Sequence, residues 1–304
     1  METGMTSPNQ RAAGVSSPGP WHRFAPVAVI VVVAFILPLA KLMNFAIHDE
    51  LYSYIVLIPF ISAYLIWQEK ETPPGSPAPA TGLMSVFLVA GVAVLLWHRL
   101  AHPATMADSL AQTTLAFLLF FAAGAAWKLG GRTLRAFAFP LAFLIFMVPM
   151  PVALRGFIEA GLQQGSAAVA NVFFTIADTP MVNDGLVFRL PGIQIEVAPE
   201  CSGIHSTVVL FITSLLAGHY FLRRPWKRVV LCLIVIPLAL LRNGFRVFVI
   251  GELCVHVGPQ MINSVIHRRG GPLFFLLSLI PFFYLLFYLR RGDQSKPEPN
   301  DLKK

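Results

Sequence analysis

Apolar runs of about 20 residues recur along most of this chain, and runs of that length leave few folds open. A helix satisfies its own backbone hydrogen bonds, so it is the element that can carry such a run through hydrocarbon. Spans are expected near residues 25–43, 51–67, 82–98, 110–127, 136–154, 201–221, 227–250 and 273–289. The predicted fold is therefore an all-α integral membrane protein of about eight transmembrane helices. At 56% hydrophobic and 12% charged residues, the chain lies outside the range of soluble domains. Residues 1–24 are rich in Ser, Gly and Pro and read as a disordered cytoplasmic tail. Residues 25–290 form the polytopic domain, and 291–304 form a second cytoplasmic tail. The first run is too long for a cleaved signal peptide and lacks a small-residue cleavage site. Pro73 to Pro79 is a Pro-rich loop with no evident role.

The net charge of +8 does not point to nucleic acid, because the cations flank apolar runs. That distribution belongs to membrane orientation and contact with the lipid bilayer, including anionic lipids. With both termini inside, most of the 23 Lys and Arg residues fall on the cytoplasmic side. Lys41, Arg99, Arg155, Arg189, Arg242, Arg246, Arg268 and Arg269 remain outside. The positive-inside rule thus predicts an N-in, C-in topology. Outward-facing arginines need a reason, and four of these cluster in two short segments.

Those segments are Leu241-Arg242-Asn243-Gly244-Phe245-Arg246 and Ile266-His267-Arg268-Arg269-Gly270-Gly271. A third, Ala198-Pro199-Glu200-Cys201-Ser202-Gly203-Ile204-His205-Ser206, opens the sixth span. The topology sets Cys201, Arg246 and His267 at one membrane depth. A thiol at a helix N-terminus is favoured as thiolate and is a candidate nucleophile. Cys232, inside an apolar span, reads as a packed small residue. Cys254, just past the seventh span, is inert or pairs with another thiol. The three cysteines show no metal spacing, and no cofactor is expected.

His267 or His205 can act as the base. His205 lies four residues after Cys201, on the same face of a helix that begins at the cysteine. Arg246 ends an apolar span, where a permanent charge is paired or functional, and can stabilise an oxyanion. Arg242 is one turn earlier, and Asn243 can hold a backbone or side-chain partner in place. Glu200 orients a base, pairs with an arginine or caps the helix. Before this site, residues 156–177 read as an extramembrane or partly embedded helix. Leu186–Leu190 and Ile193–Val197 alternate around Pro191-Gly192, predicting a small β-hairpin that leads into the Cys201 segment.

Taken together, Glu200-Cys201-Ser202-Gly203-Ile204-His205-Ser206, Asn243-Gly244-Phe245-Arg246, and His267 with Gly270-Gly271 resemble the exosortase/archaeosortase family. The specific part runs from Ala198 to Phe275, within a family-like core of about residues 136–290. The resemblance implies a membrane cysteine transpeptidase or protease of the hydrolase class, without cofactor or metal, in the cell inner membrane. Its active site would face the periplasm. It implies substrates with a C-terminal PEP-CTERM-type sorting signal: a Pro-containing motif, one transmembrane helix and a basic tail. Cys201 matches the nucleophile, Arg246 the arginine and His267 the histidine, which favours His267 over His205 as the base. Family members often have arginine at the position of His205. The main alternative is a non-enzymatic transporter or assembly factor of exopolysaccharide export, with Arg242 and Arg246 binding an anion.

Overall fold

The structure is a computed structural model that describes residues 21–68, 78–199, 202–258, 260–261 and 271–294. It is an all-α membrane fold, 82% helical, with a small three-stranded sheet. Among the described residues, six helices are long and apolar enough to cross a bilayer, or up to eight if each of two bent pairs counts as one span. Residues 1–20 of the expected tail, 69–77 of the Pro-rich loop and 295–304 of the C-terminal tail lie outside the described residues.

The chain divides into two compact units, residues 1–47 with 55–149 and residues 48–54 with 150–304. In the first, α1 (Trp21–Ala34) and α2 (Ile36–His48) together make the first expected span, bent by 71°. The cause is Pro38, whose ring clashes with the carbonyl of Ala34 and removes one helical N–H. α3 (Ile58–Gln68), α4 (Thr81–Ala101) and α5 (Met106–Ala136) follow. Thr105 caps α5, accepting from the Asp108 N–H at 3.1 Å and donating to its carboxylate at 2.7 Å. Gly130, at φ 74°, breaks the helical path of α5 near its end.

The fifth expected span is interrupted. α6 (Ala138–Phe143) and a 3-10 turn (Leu144–Met147) stop before Met150-Pro151, and α7 (Val152–Ile176) starts directly after. Residues 156–176 therefore belong to a 25-residue helix that begins inside the expected span and is followed by Ala177 as its C-cap. The proline-rich sequence Val148-Pro149-Met150-Pro151 disfavours helical backbone and sets the break.

In the second unit the expected hairpin gains a strand. β1 (Val182–Asp184), β2 (Val187–Leu190) and β3 (Ile193–Glu196) pair antiparallel in chain order. Pro191 followed by Gly192 at φ 80° makes the β2–β3 turn. Alternation buries Phe188, Leu190, Ile195 and Val197 in one cluster with Ala167, Ala170 and Phe174 of α7. Val247, in the helix α10 described next, completes that cluster.

α8 (Ile204–Phe221), α9 (Pro225–Leu233), α10 (Val235–His256) and α11 (Gly271–Gln294) complete the unit. α9 and α10 form one 32-residue apolar span, interrupted at Ile234 ahead of Pro237. At the far end of this group Lys227 is 4% exposed and donates to the Leu289 carbonyl in the last two turns of α11 at 2.7 Å.

α7 and α10 pack closely through glycine. A Cβ at Gly244 would lie 2.5 Å from Val169 Cγ1, and one at Gly251 would lie 2.4 Å from Phe174 Cζ. Small residues let membrane helices approach to backbone contact, where dispersion rather than water expulsion holds them. Gly244→Ala and Gly251→Ala should each destabilise the detergent-solubilised protein by about 1–3 kcal/mol. Gly156→Ala, where a Cβ meets nothing within 4 Å, should not. Thermal unfolding of the three variants checks this.

Candidate active site

The segment joining β3 to α8 is fastened at both ends. On the near side, Gln163 Nε2 of α7 donates to the Val197 carbonyl at 2.9 Å. On the far side, the Asn243 amide of α10 donates to the Ser202 carbonyl. Glu200 and Cys201 lie between these anchors and outside the described residues. Ser202 is 0% exposed, and its N–H donates to the Pro199 carbonyl at 3.0 Å.

Gly203 follows at φ 67° and ψ 22°, a left-handed conformation outside the helix. α8 consequently starts at Ile204 and not at Cys201, which corrects the expected boundary. The i, i+4 relation between Cys201 and His205 therefore does not apply. His205 is the second residue of α8, half-buried. Glycine is required here for space as well as backbone. A Cβ would lie 2.4 Å from Asn243 Nδ2 and 2.8 Å from Arg242 Nη2.

Arg242 and Asn243 are both buried, at 7% and 3% exposure. Arg242 Nη2 donates to the Gly203 carbonyl at 3.3 Å and to Thr207 Oγ1 at 3.4 Å. Its Nε donates to Asn243 Oδ1 at 3.4 Å. All of these acceptors are neutral. Arg155 and Arg189 differ, pairing with Glu159 at 2.9 Å and Asp184 at 3.6 Å. Among the described residues, Arg242 Nη1 and Ser202 Oγ are buried without a hydrogen-bond partner.

Arg246 stands one helical turn beyond Arg242, roughly 6 Å along the axis, and is half-buried. It does not end its helix as expected. α10 continues to His256, and Cys254, expected past the span, is inside α10 at 2% exposure. The helix end is instead polar: Glu252 accepts from Thr179 Oγ1 at 2.5 Å and contacts His256 Nε2 at 3.0 Å. Cys232 is half-buried in α9 and accepts from Ser214 Oγ at 3.4 Å. His267, with Arg268, Arg269 and Gly270, lies outside the described residues.

The structure thus ties the residue after Cys201 directly to Asn243, and Gly203 to Arg242. Sequence reasoning missed Gln163 and Thr207. Gln163 was detectable as an amide in a helix of small apolar residues, whereas Thr207 carried no signal. Among the described residues, no three His, Cys, Asp or Glu side chains converge to hold a metal.

The transmembrane exosortase family model (Exosortase_EpsH) matches residues 43–284. The chain belongs to the exosortase family. No curated protein and no solved structure matches it significantly. The matched stretch includes all three segments singled out in the sequence and both anchors of the exosortase loop between β3 and α8.

The crowding at Gly203 is separable from its backbone cost. Gly185 has the same φ of 67° but open space around its missing Cβ. Gly185→Ala should cost about 1–2 kcal/mol, the left-handed penalty alone. Gly203→Ala should cost more, by about 1–3 kcal/mol of overpacking against Asn243 and Arg242. The difference between their unfolding midpoints measures the contact.

Proposed function

We propose that this exosortase is a cysteine transpeptidase or protease for membrane-anchored proteins with a C-terminal PEP-CTERM-type sorting signal. The observation that carries the reading is the anchored Val197–Gly203 segment in a chain of this family. Irregular backbone at a membrane helix entry is costly, and here three side-chain donors on two helices hold it, two of them from the buried Arg242 and Asn243. A carrier has no need to fix a cysteine-bearing loop this way.

The Cys201 thiolate attacks the carbonyl carbon of the scissile peptide, and its sulfur forms the C–S bond. The carbonyl oxygen takes the charge, met by the Arg246 guanidinium. As the C–N bond breaks, His267 gives a proton to the departing amine, which leaves with the substrate's transmembrane helix. An acceptor amine, or water, then attacks the thioester, gives its proton back to His267 as the C–S bond breaks, and returns the sulfur as thiolate. The cation distribution supports a site at the outer face of the inner membrane, with the substrate's basic tail inside. The tripartite signal fits that arrangement, since its motif would meet Cys201 while its helix packs in lipid.

The test is co-expression with a reporter carrying such a signal, followed by its size on a gel. Cys201→Ala should abolish processing, and normal processing would remove the catalytic reading. Arg246→Lys should slow it by about 100-fold or more, because a point charge does not reproduce a planar fork of donors. Undiminished turnover in that variant would remove the oxyanion role.

A further inference from the structure

β3 is an edge strand, paired with β2 on one side only. The phase of that pairing fixes which of its backbone groups face the open side. The Val197 N–H donates to the Leu186 carbonyl at 2.9 Å, so Ile193, Ile195 and Val197 turn their groups toward β2. Gln194 and Glu196 alternate with them and turn theirs outward. The Glu196 carbonyl is already met, by the Ala198 N–H at 3.0 Å. That leaves a donor and an acceptor on Gln194 and a donor alone on Glu196. Among the described residues, none of these three groups has a hydrogen-bond partner. Both residues are exposed.

An open edge takes on a further strand through main-chain bonds, and this pattern states what that strand must carry. In antiparallel pairing, the residue opposite Gln194 exchanges two bonds with it. The residue opposite Glu196, two positions earlier in the incoming chain, meets a donor and no free acceptor. It needs a carbonyl and gains nothing from an N–H, which is the make-up of proline. Proline also keeps the residue before it extended, and it belongs on an outermost strand. The other edge differs. β1 turns one residue outward, Asn183, whose side chain is tied to Asn171 Oδ1 at 3.1 Å. It also lies two strands from the anchored Val197–Gly203 segment, into which β3 runs directly.

We propose that the open edge of β3 binds the Pro-containing motif of the sorting signal as a fourth, antiparallel strand, with its proline opposite Glu196. The inference rests on the reading above for the identity of the substrate. Three main-chain bonds hold the motif, two at Gln194 and one at Glu196. A short edge suits a short motif, and the missing proline N–H costs no bond there.

The experiment is amide hydrogen exchange of full-length Cys201→Ala protein in micelles, with and without the sorting-signal reporter, read residue by residue. The Gln194 and Glu196 amides should slow by about tenfold or more with the reporter, while that of Asn183 stays unchanged. In the chain with Cys201 intact, Gln194→Pro and Glu196→Pro each delete one outward donor and no bond to β2. Each should lower kcat/KM for processing by about 3–10-fold, mainly through KM. Asn183→Pro makes the same deletion at the other edge and should leave processing unchanged. Thermal midpoints show which variants fold; where one does not, exchange in the unsubstituted sheet decides. Gln194 and Glu196 amides unmoved by the reporter, or full processing by folded Gln194→Pro, overturn the added strand. If processing is normal in that case, the protease reading stands without it. Amides protected by a reporter that the intact chain never cleaves would sink the protease reading and keep the strand.

Discussion

Two adjacent polar side chains in the middle of an apolar helix determine how α8 meets α10. In hydrocarbon an irregular backbone segment has no water to turn to, so its carbonyls must be met from within the protein. Asn243 and Arg242 meet those of Ser202 and Gly203, and Gln163 meets that of Val197. None of this works at ordinary helix separation. The missing side chains at Gly244 and Gly251 bring α7 against α10, which sets Gln163 and Asn243 on either side of one short stretch. The sheet rests on the same two helices, its inward face sharing a cluster with Ala167, Ala170, Phe174 and Val247.

Much of this was legible in the sequence because hydrophobic length is a strong signal. α4 and α11 fall within a few residues of their expected limits, and the Pro191-Gly192 turn forms as its chemistry dictates. Errors came where proline or glycine acts over a distance of several residues. Pro38 bends a span four residues upstream of itself, and Met150-Pro151 moves the start of α7 into what read as a membrane crossing. Gly203 delays α8 past the cysteine, which a run of apolar residues does not reveal.

The site was legible as chemistry and less so as geometry. The segments around Cys201 and Arg246 were picked out by residue type, and the fold does bring Ser202 and Gly203 onto α10. Sequence ranked Arg246 above Arg242 from its place at the end of an apolar run. The family resemblance ranked it so as well, while the helix itself runs on past Arg246 to His256. Tertiary contact, invisible to periodicity, is what gives Arg242 its three neutral partners.

The combined α9–α10 rod has 32 residues, about 48 Å at the usual rise, against a hydrocarbon slab of about 30 Å. It cannot be wholly submerged upright; it leans or projects. Counted from Pro225, Arg246 stands about 32 Å up that rod, near one slab thickness, and the Glu252–His256 end lies beyond it. The depth of the guanidinium is therefore coupled to how thick the surrounding lipid is. A rod this much longer than the slab meets a change in bilayer thickness by changing its tilt or its projection, and the two arginines move with it.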